Sequence, residues 1–153
     1  QYQVSLGTTF TGVLIIDTQY LVVHVGDSRL YHIAENLVQL TEDHTVVAQK
    51  IRRGEITSEQ AEMDAQRNVL TQCVGASTEI FPQVLFGNVK SGVYMLCSDG
   101  FRHQISGREI QMAFQKDAMS TQRQMHEQAQ RMINIVKQRQ ERDNISVILI
   151  RVA

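Results

Sequence analysis

An α+β fold is predicted from how the apolar runs are distributed. Short strand-like runs joined by tight turns fill the first third, and two helical patterns come late. The chain then closes on an apolar run from Asn144 to Val152. Strands gathered early and helices gathered late argue for sheets packed against helices, not for alternating βαβ units. No internal repeat, low-complexity tract or linker interrupts the 153 residues, so a single domain spanning 1–153 is expected.

Taken in order, Phe10 to Asp17 is a mixed apolar strand, and Asp17-Thr18-Gln19 a tight turn. Tyr20 to Gly26 and Ser28 to Ala34 follow as strands, then a Glu35-Asn36 turn and the short strand Leu37 to Leu40. This succession predicts an antiparallel meander. A helix is expected from Val46 to about Gly54. Thr57-Ser58-Glu59-Gln60 fits a capping box, with Thr57 as N-cap. The polar, poorly periodic stretch Ile51 to Gln66 reads as a mobile surface excursion. Arg67 to Gly75 and Ile80 to Val89 read as strands, the second holding Pro82 at a strand start or on an edge. Val93 to Cys97 is a buried strand. Ser106-x-x-Glu109 is a second capping box, opening a short helix, and Thr121 starts the longest one, to about Gln140. Met125, Ala129, Met132, Ile133 and Val136 recur at helical spacing and form one core-facing stripe. The last strand is apolar on both faces, which predicts a central position.

Composition narrows the function classes. A net charge of −1 gives no reason to expect nucleic acid or an anionic membrane as partner. No apolar run approaches the roughly 20 residues of a membrane span, and a cytoplasmic location is expected. Cys73 and Cys97 both lie in apolar strand contexts and read as buried thiols. No Cys-x-x-Cys or Cys/His cluster suggests structural zinc. Cys97 does not fit a cysteine phosphatase. The position six residues after it is His103, not arginine, and Asp99 would put negative charge inside the phosphate cradle.

Three aspartates stand at strand margins. Asp99 follows Val93 to Cys97 and precedes Gly100, which is expected to let the chain turn away. Asp27 lies in Gly26-Asp27-Ser28 after the second strand, and Asp143 just before the last. If those margins converge, they make an oxygen-rich pocket suited to Mg²⁺ or Mn²⁺. Each also has a plainer role open to it: Asp27 as a turn former, Asp99 as a cap, Asp143 as the solvated end of a charged run. His24 and His44 are read as structural.

Six motifs occur in a fixed order: Gly7-Thr8-Thr9, His24-Val25-Gly26-Asp27-Ser28-Arg29, Leu40-Thr41-Glu42-Asp43-His44-Thr45, Arg67-Asn68-Val69-Leu70-Thr71, Cys97-Ser98-Asp99-Gly100 and Arg142-Asp143-Asn144. In this the chain resembles the bacterial metal-dependent protein phosphatases of the PPM (type 2C) family. Arg52 to Thr57 resembles the start of that family's flap, which places a flap-like insertion at about 45–67. The resemblance implies a four-layer α-β-β-α sandwich of two antiparallel sheets flanked by helices. It implies a site for two Mn²⁺ or Mg²⁺ ions, with a third, weaker one. Asp99 and Asp143 match ligands of the metal pair, and Asp27 matches the aspartate that shares the third ion with Asp99. Ser98, Gly100 and Asn144 match supporting positions. No side chain is assigned as nucleophile, because the family uses a metal-activated water.

The family's Arg-x-x-Asn-x-Asp and Asp-Gly-x-Gly-Gly motifs do not occur in these residues. They supply the phosphate-binding arginine and the aspartate bridging both metals. The chain is therefore expected to correspond to a C-terminal portion of such a phosphatase, with the sandwich incomplete. The implied function is hydrolysis of phosphoserine and phosphothreonine in proteins, weak or absent in this chain by itself. The alternative is a catalytically dead module that binds phosphoproteins or other partners. A stress-response regulatory phosphatase of the same superfamily is disfavoured by the flap-like segment. A phosphoprotein substrate, a cognate Ser/Thr kinase, and a dimeric or strand-exchanged assembly are the expected partners.

Overall fold

The computed structural model describes residues 6–153. It is a mixed α+β structure with two sheets, and its contacts group the chain into two compact units that interleave in sequence. Of the described residues, the first unit takes 6–28 and 42–87, the second 29–41 and 88–153.

In the first unit, β1 (Phe10–Ile16) and β2 (Gln19–Val25) form an antiparallel hairpin with Phe10 opposite Val25 and Ile16 opposite Gln19. Asp17, at φ 51°, makes the turn; aspartate tolerates this left-handed region better than most residues. β5 (Gln83–Asn88) completes the sheet in the order β1-β2-β5. Pro82 immediately precedes this strand, where a missing N–H costs no ladder bond. Gly87 lets it pass Tyr20: a Cβ there would lie 2.5 Å from the tyrosine ring.

The stretch Ile51 to Gln66 is more organised than its polarity suggests. α1 (Val46–Arg52) is capped by Thr45, whose hydroxyl accepts the Ala48 N–H. α2 (Ser58–Met63) carries the expected capping box between Thr57 and Gln60. Lys50 on α1 pairs with Asp64 at the end of α2 at 2.7 Å. The expected strand over Arg67 to Gly75 does not form. Only single bridges remain, Thr45 with Leu70 and Thr8 with Val74. One bridge per side fixes the segment without a ladder, so its apolar residues carry no alternating pattern.

The second unit holds β3 (Arg29–Ile33), β4 (Leu37–Gln39), β6 (Gly92–Cys97) and β7 (Val147–Val152), in the order β4-β3-β6-β7. All three pairings are antiparallel. The expected meander is thus broken. The chain changes sheets across Gly26-Asp27-Ser28, so β2 and β3 are consecutive but unpaired. The last strand is also not central: among the described residues β7 pairs only with β6, and Ile148 is 60% exposed. The buried centre is β6, whose first four residues, Gly92 to Met95, are all inaccessible.

Helices α3 (Asp99–Arg102), α4 (Gly107–Ala113) and α5 (Gln122–Gln138) belong to this unit, with a 3₁₀ turn at Lys116–Ala118. Ser106 with Glu109, and Thr121 with Gln124, form capping boxes at the starts of α4 and α5. The α5 stripe packs as its period requires: Met132 and Val136 are buried, with Met125 and Ile133 against them. They join Tyr31, Val93, Met95, Phe101, Ile110 and Phe114 in one core. The Arg139 guanidinium reaches both carboxylate oxygens of Glu109, at 2.6 and 3.2 Å, and the Gln104 carbonyl at 2.7 Å. That arginine, with the Ser106 amide and hydroxyl, holds the Glu109 carboxyl at a pKa of about 2.

Candidate metal centre

Asp99 is placed by the end of β6. The Ser98 N–H donates to the Ser146 carbonyl at 3.0 Å, one step beyond the Cys97–Val147 pair. The Ser98 hydroxyl then donates to the Asn144 carbonyl at 3.1 Å and accepts the Ser146 N–H at 3.0 Å. One serine thus fastens the start of α3 to the loop that carries Asp143.

Gly100 closes the same junction. It lies in helical conformation, so its value is not the turn expected from sequence. What it provides is close approach: a Cβ there would sit 2.6 Å from the Asn144 carbonyl oxygen and 3.2 Å from the Asp143 Cβ. The two aspartate loops are in backbone contact because residue 100 has no side chain.

The two carboxylates make the same local hydrogen bond. Asp99 Oδ1 accepts the Gly100 N–H at 2.8 Å, and Asp143 Oδ1 accepts the Asn144 N–H at 2.7 Å. Neither Oδ2 has a hydrogen-bond partner among the described residues. Glu141 supports the second loop. Its Oε1 accepts the Arg142 and Asp143 N–H groups at 2.8 and 2.9 Å, and its Oε2 lies 4.0 Å from His103 Nδ1. These bonds, led by the Asp143 amide, hold the Glu141 carboxyl below the usual carboxylate range.

Asp27 lies in the first unit, at the end of β2. Gly26 before it has φ +114°, and a Cβ there would meet Thr9 Cγ2 at 2.3 Å. Gly26 and His44 exchange two bonds: the Gly26 N–H donates to His44 Nδ1 at 3.1 Å, and the His44 N–H donates to the Gly26 carbonyl at 2.7 Å. His24 is fully buried, with Thr11 Oγ1 2.8 Å from its Nδ1 and the Glu42 carbonyl 3.0 Å from its Nε2. Burial first, and the neighbouring His44, push the His24 pKa down. Burial likewise lowers that of His44, against the opposing pull of Glu42 and Asp43.

The structure therefore brings two of the three aspartates, Asp99 and Asp143, into one junction, with Asp27 on the other unit. Among the described residues no three His, Cys, Asp or Glu side chains group closely enough to hold a cation. The donors do suit a hard divalent ion: carboxylates with one oxygen fixed and the other open. Ser98, Gly100 and Asn144 make the contacts that join the two segments. Sequence reasoning gave Glu141 no role and read His24 and His44 as structural without linking them to Gly26. The only trace was that both histidines sit in strings bordering an aspartate. Cys97 is buried in the core of the second unit. A shallow depression along α5, from His126 to Gln138, contains none of the three aspartates.

No protein-family model matches the chain. Solved serine/threonine phosphatases share its fold. The Streptococcus agalactiae enzyme superposes with a TM-score of 0.86 at 28% identity, over 96% of this chain and 60% of that one. A catalytic domain of PstP in complex with two manganese ions superposes at 0.78 with 29% identity, over 94% of this chain and 57% of that one. The fold is thus that of a class of serine/threonine protein phosphatases, one of which is solved with manganese. In sequence, protein phosphatase PhpP of Streptococcus pneumoniae is 36% identical over 150 residues, 95% of this chain and 58% of PhpP. The serine/threonine phosphatase stp of Listeria welshimeri is 30% identical over 148 residues, 95% of this chain and 57% of stp. The relatives it matches are protein phosphatases of the PPM (type 2C) kind, and the chain spans somewhat more than half the length of those curated proteins.

Proposed function

We propose that the chain is part of a phosphatase that hydrolyses phosphoserine and phosphothreonine in proteins. The observation that carries this is the Asp99–Asp143 junction, where Ser98 and Gly100 bring the two segments together and each carboxylate accepts the amide of its next residue. Asp99 and Asp143 would hold a pair of Mn²⁺ or Mg²⁺ ions, and Asp27 would be a ligand of a third, weaker one. Such ions, when bound, activate water and neutralise charge on a transferring phosphoryl group. The chain's own contribution is to hold the carboxylates: Ser98 and Gly100 set the spacing of the two loops, and Glu141 sets the Asp143 backbone. A cognate Ser/Thr kinase and a cytoplasmic location complete the proposal. No helix among the described residues is long and apolar enough to cross a membrane.

The test is hydrolysis of an aryl phosphate by this purified chain and by the full natural protein, with Mn²⁺ and with EDTA. The full protein is expected to turn over only with metal, and this chain at least about 10-fold more slowly. Metal-independent turnover would overturn the proposal. No turnover by the full protein would favour a binding module instead.

Self-association of the isolated chain is the second expected result. On β1, Phe10, Leu14 and Ile16 lie on one face and are 52–61% exposed; on β5, Val84 and Phe86 are 50% and 78% exposed. Open apolar faces and unpaired edge strands favour pairing with a second copy. Light scattering should find dimers or larger species, and a clean monomer at high concentration would contradict this.

A further inference from the structure

Both residues beside Asp27 are held from outside their own strand. Gly26 is clasped by His44 through two hydrogen bonds. On the other side, Thr11 Oγ1 lies 3.2 Å from the Ser28 carbonyl oxygen, and Thr9 Oγ1 3.2 Å from Ser28 Oγ. The His44 ring rests against the buried His24 ring, centroids 4.9 Å apart and tilted by 38°. His24 is itself fixed, because the Glu42 carbonyl can only accept, so Nε2 carries the proton and Nδ1 faces the Thr11 hydroxyl. The Gly26 amide can only donate, so His44 Nδ1 must be the unprotonated nitrogen of that ring.

Such an arrangement is more than a packed histidine needs. A histidine that only packs is satisfied by any two partners, but the half-buried His44 spends its ring acceptor and its own amide on a single glycine. That glycine sits at φ +114°, where no other residue fits beside Thr9, and directly precedes the aspartate. We infer that His44 is a positioning residue for Asp27: its Nδ1 holds the Gly26 amide, and through it sets the direction of the Asp27 carboxylate toward a divalent cation. His24 and Thr11 form the backing that keeps the His44 ring in place. The inference rests on the reading of Asp27 as a cation ligand. Its mechanism parallels that of supporting shells around metal ligands, whose loss costs 10–100-fold in affinity.

The experiment compares His44→Phe, His44→Asn and Asp27→Asn with the parent in the full natural protein. Asparagine places an acceptor oxygen near the position of Nδ1; phenylalanine keeps the ring without the acceptor. Three quantities are read: the weak step of a Mn²⁺ calorimetric titration, hydrogen exchange of the Gly26 amide, and the melting temperature. His44→Phe is expected to weaken the weak Mn²⁺ step by roughly 10-fold or more. It should also speed exchange at Gly26, while His44→Asn restores much of both. Asp27→Asn should remove the same step. Unchanged Mn²⁺ binding in His44→Phe, with Asp27→Asn still damaging, would overturn the positioning role and leave Asp27 as a ligand. Equal loss in His44→Phe and His44→Asn, with both melting lower, would assign His44 to packing alone and overturn it as well. Unchanged binding in Asp27→Asn would remove the ligand reading and the inference with it.

Discussion

Asp99→Asn should leave the fold intact and remove metal-dependent phosphatase activity from the full natural protein. The reasoning is electrostatic. Asparagine has nearly the shape of aspartate, and its amide oxygen can still accept the Gly100 N–H that Asp99 Oδ1 accepts at 2.8 Å. Helix α3 and its junction with the Asp143 loop therefore keep their hydrogen bonds, including those of Ser98. What is lost is the negative charge at the open oxygen, where a hard cation needs an anionic donor. Asp99 is proposed to serve the metal pair, so one substitution weakens the binding on which turnover depends. Turnover should fall on the order of 10²–10³-fold, as when a fixed electrostatic stabiliser is removed from an active site. Mn²⁺ titration and steady-state hydrolysis on the same preparation check this. A variant that binds Mn²⁺ and turns over like the parent would refute the assignment of Asp99.

Gly100→Ala should be damaging for a different reason. Alanine is the better helix former by up to about 1 kcal/mol, and residue 100 has ordinary helical dihedrals, so local propensity favours the substitution. The new methyl would nevertheless lie 2.6 Å from a backbone carbonyl oxygen, that of Asn144, which cannot rotate away as a flexible side chain would. Relief requires the α3 start or the Asp143 loop to move. Over-packing of this kind costs about 1–3 kcal/mol. It would also separate the two aspartate-bearing segments that Ser98 and Gly100 hold together. Thermal unfolding should show the stability loss and Mn²⁺ titration a weaker tight step. An unchanged melting temperature would mean that the junction yields more easily than its contacts imply.

Much of the chain was legible without coordinates because its signals are local. The capping boxes at Thr57, Ser106 and Thr121 use a side chain and an amide three residues apart, and all three form where the spacing placed them. The α5 stripe needs only the helical period. Gly-Asp and Asp-Gly after apolar runs marked Asp27 and Asp99 as strand-end carboxylates, and β2 and β6 end as expected. The errors share a cause. Strand character says nothing about which strand pairs with which, so β2 and β3, neighbours in sequence, were joined in a meander although they lie in different sheets. The apolar residues of Arg67 to Gly75 could not reveal that only isolated bridges would form. The apolar β7 looked central, yet it is an edge among the described strands.

By itself, then, the sequence determined the α+β class, the starts of α2, α4 and α5, the likeness to the phosphatase family and the place of Asp27 and Asp99 at strand ends, because each rests on neighbouring residues or on motifs in order. Tertiary structure alone decided how those residues are used. It made Gly100 a contact surface for Asn144, turned Glu141 inward on the Asp143 amide, and set His44 against Gly26, eighteen residues away. Those roles depend on backbone atoms from distant segments meeting within hydrogen-bond or van der Waals range. No pattern along the chain encodes that distance; only the closing of the strands and helices into their units fixes it.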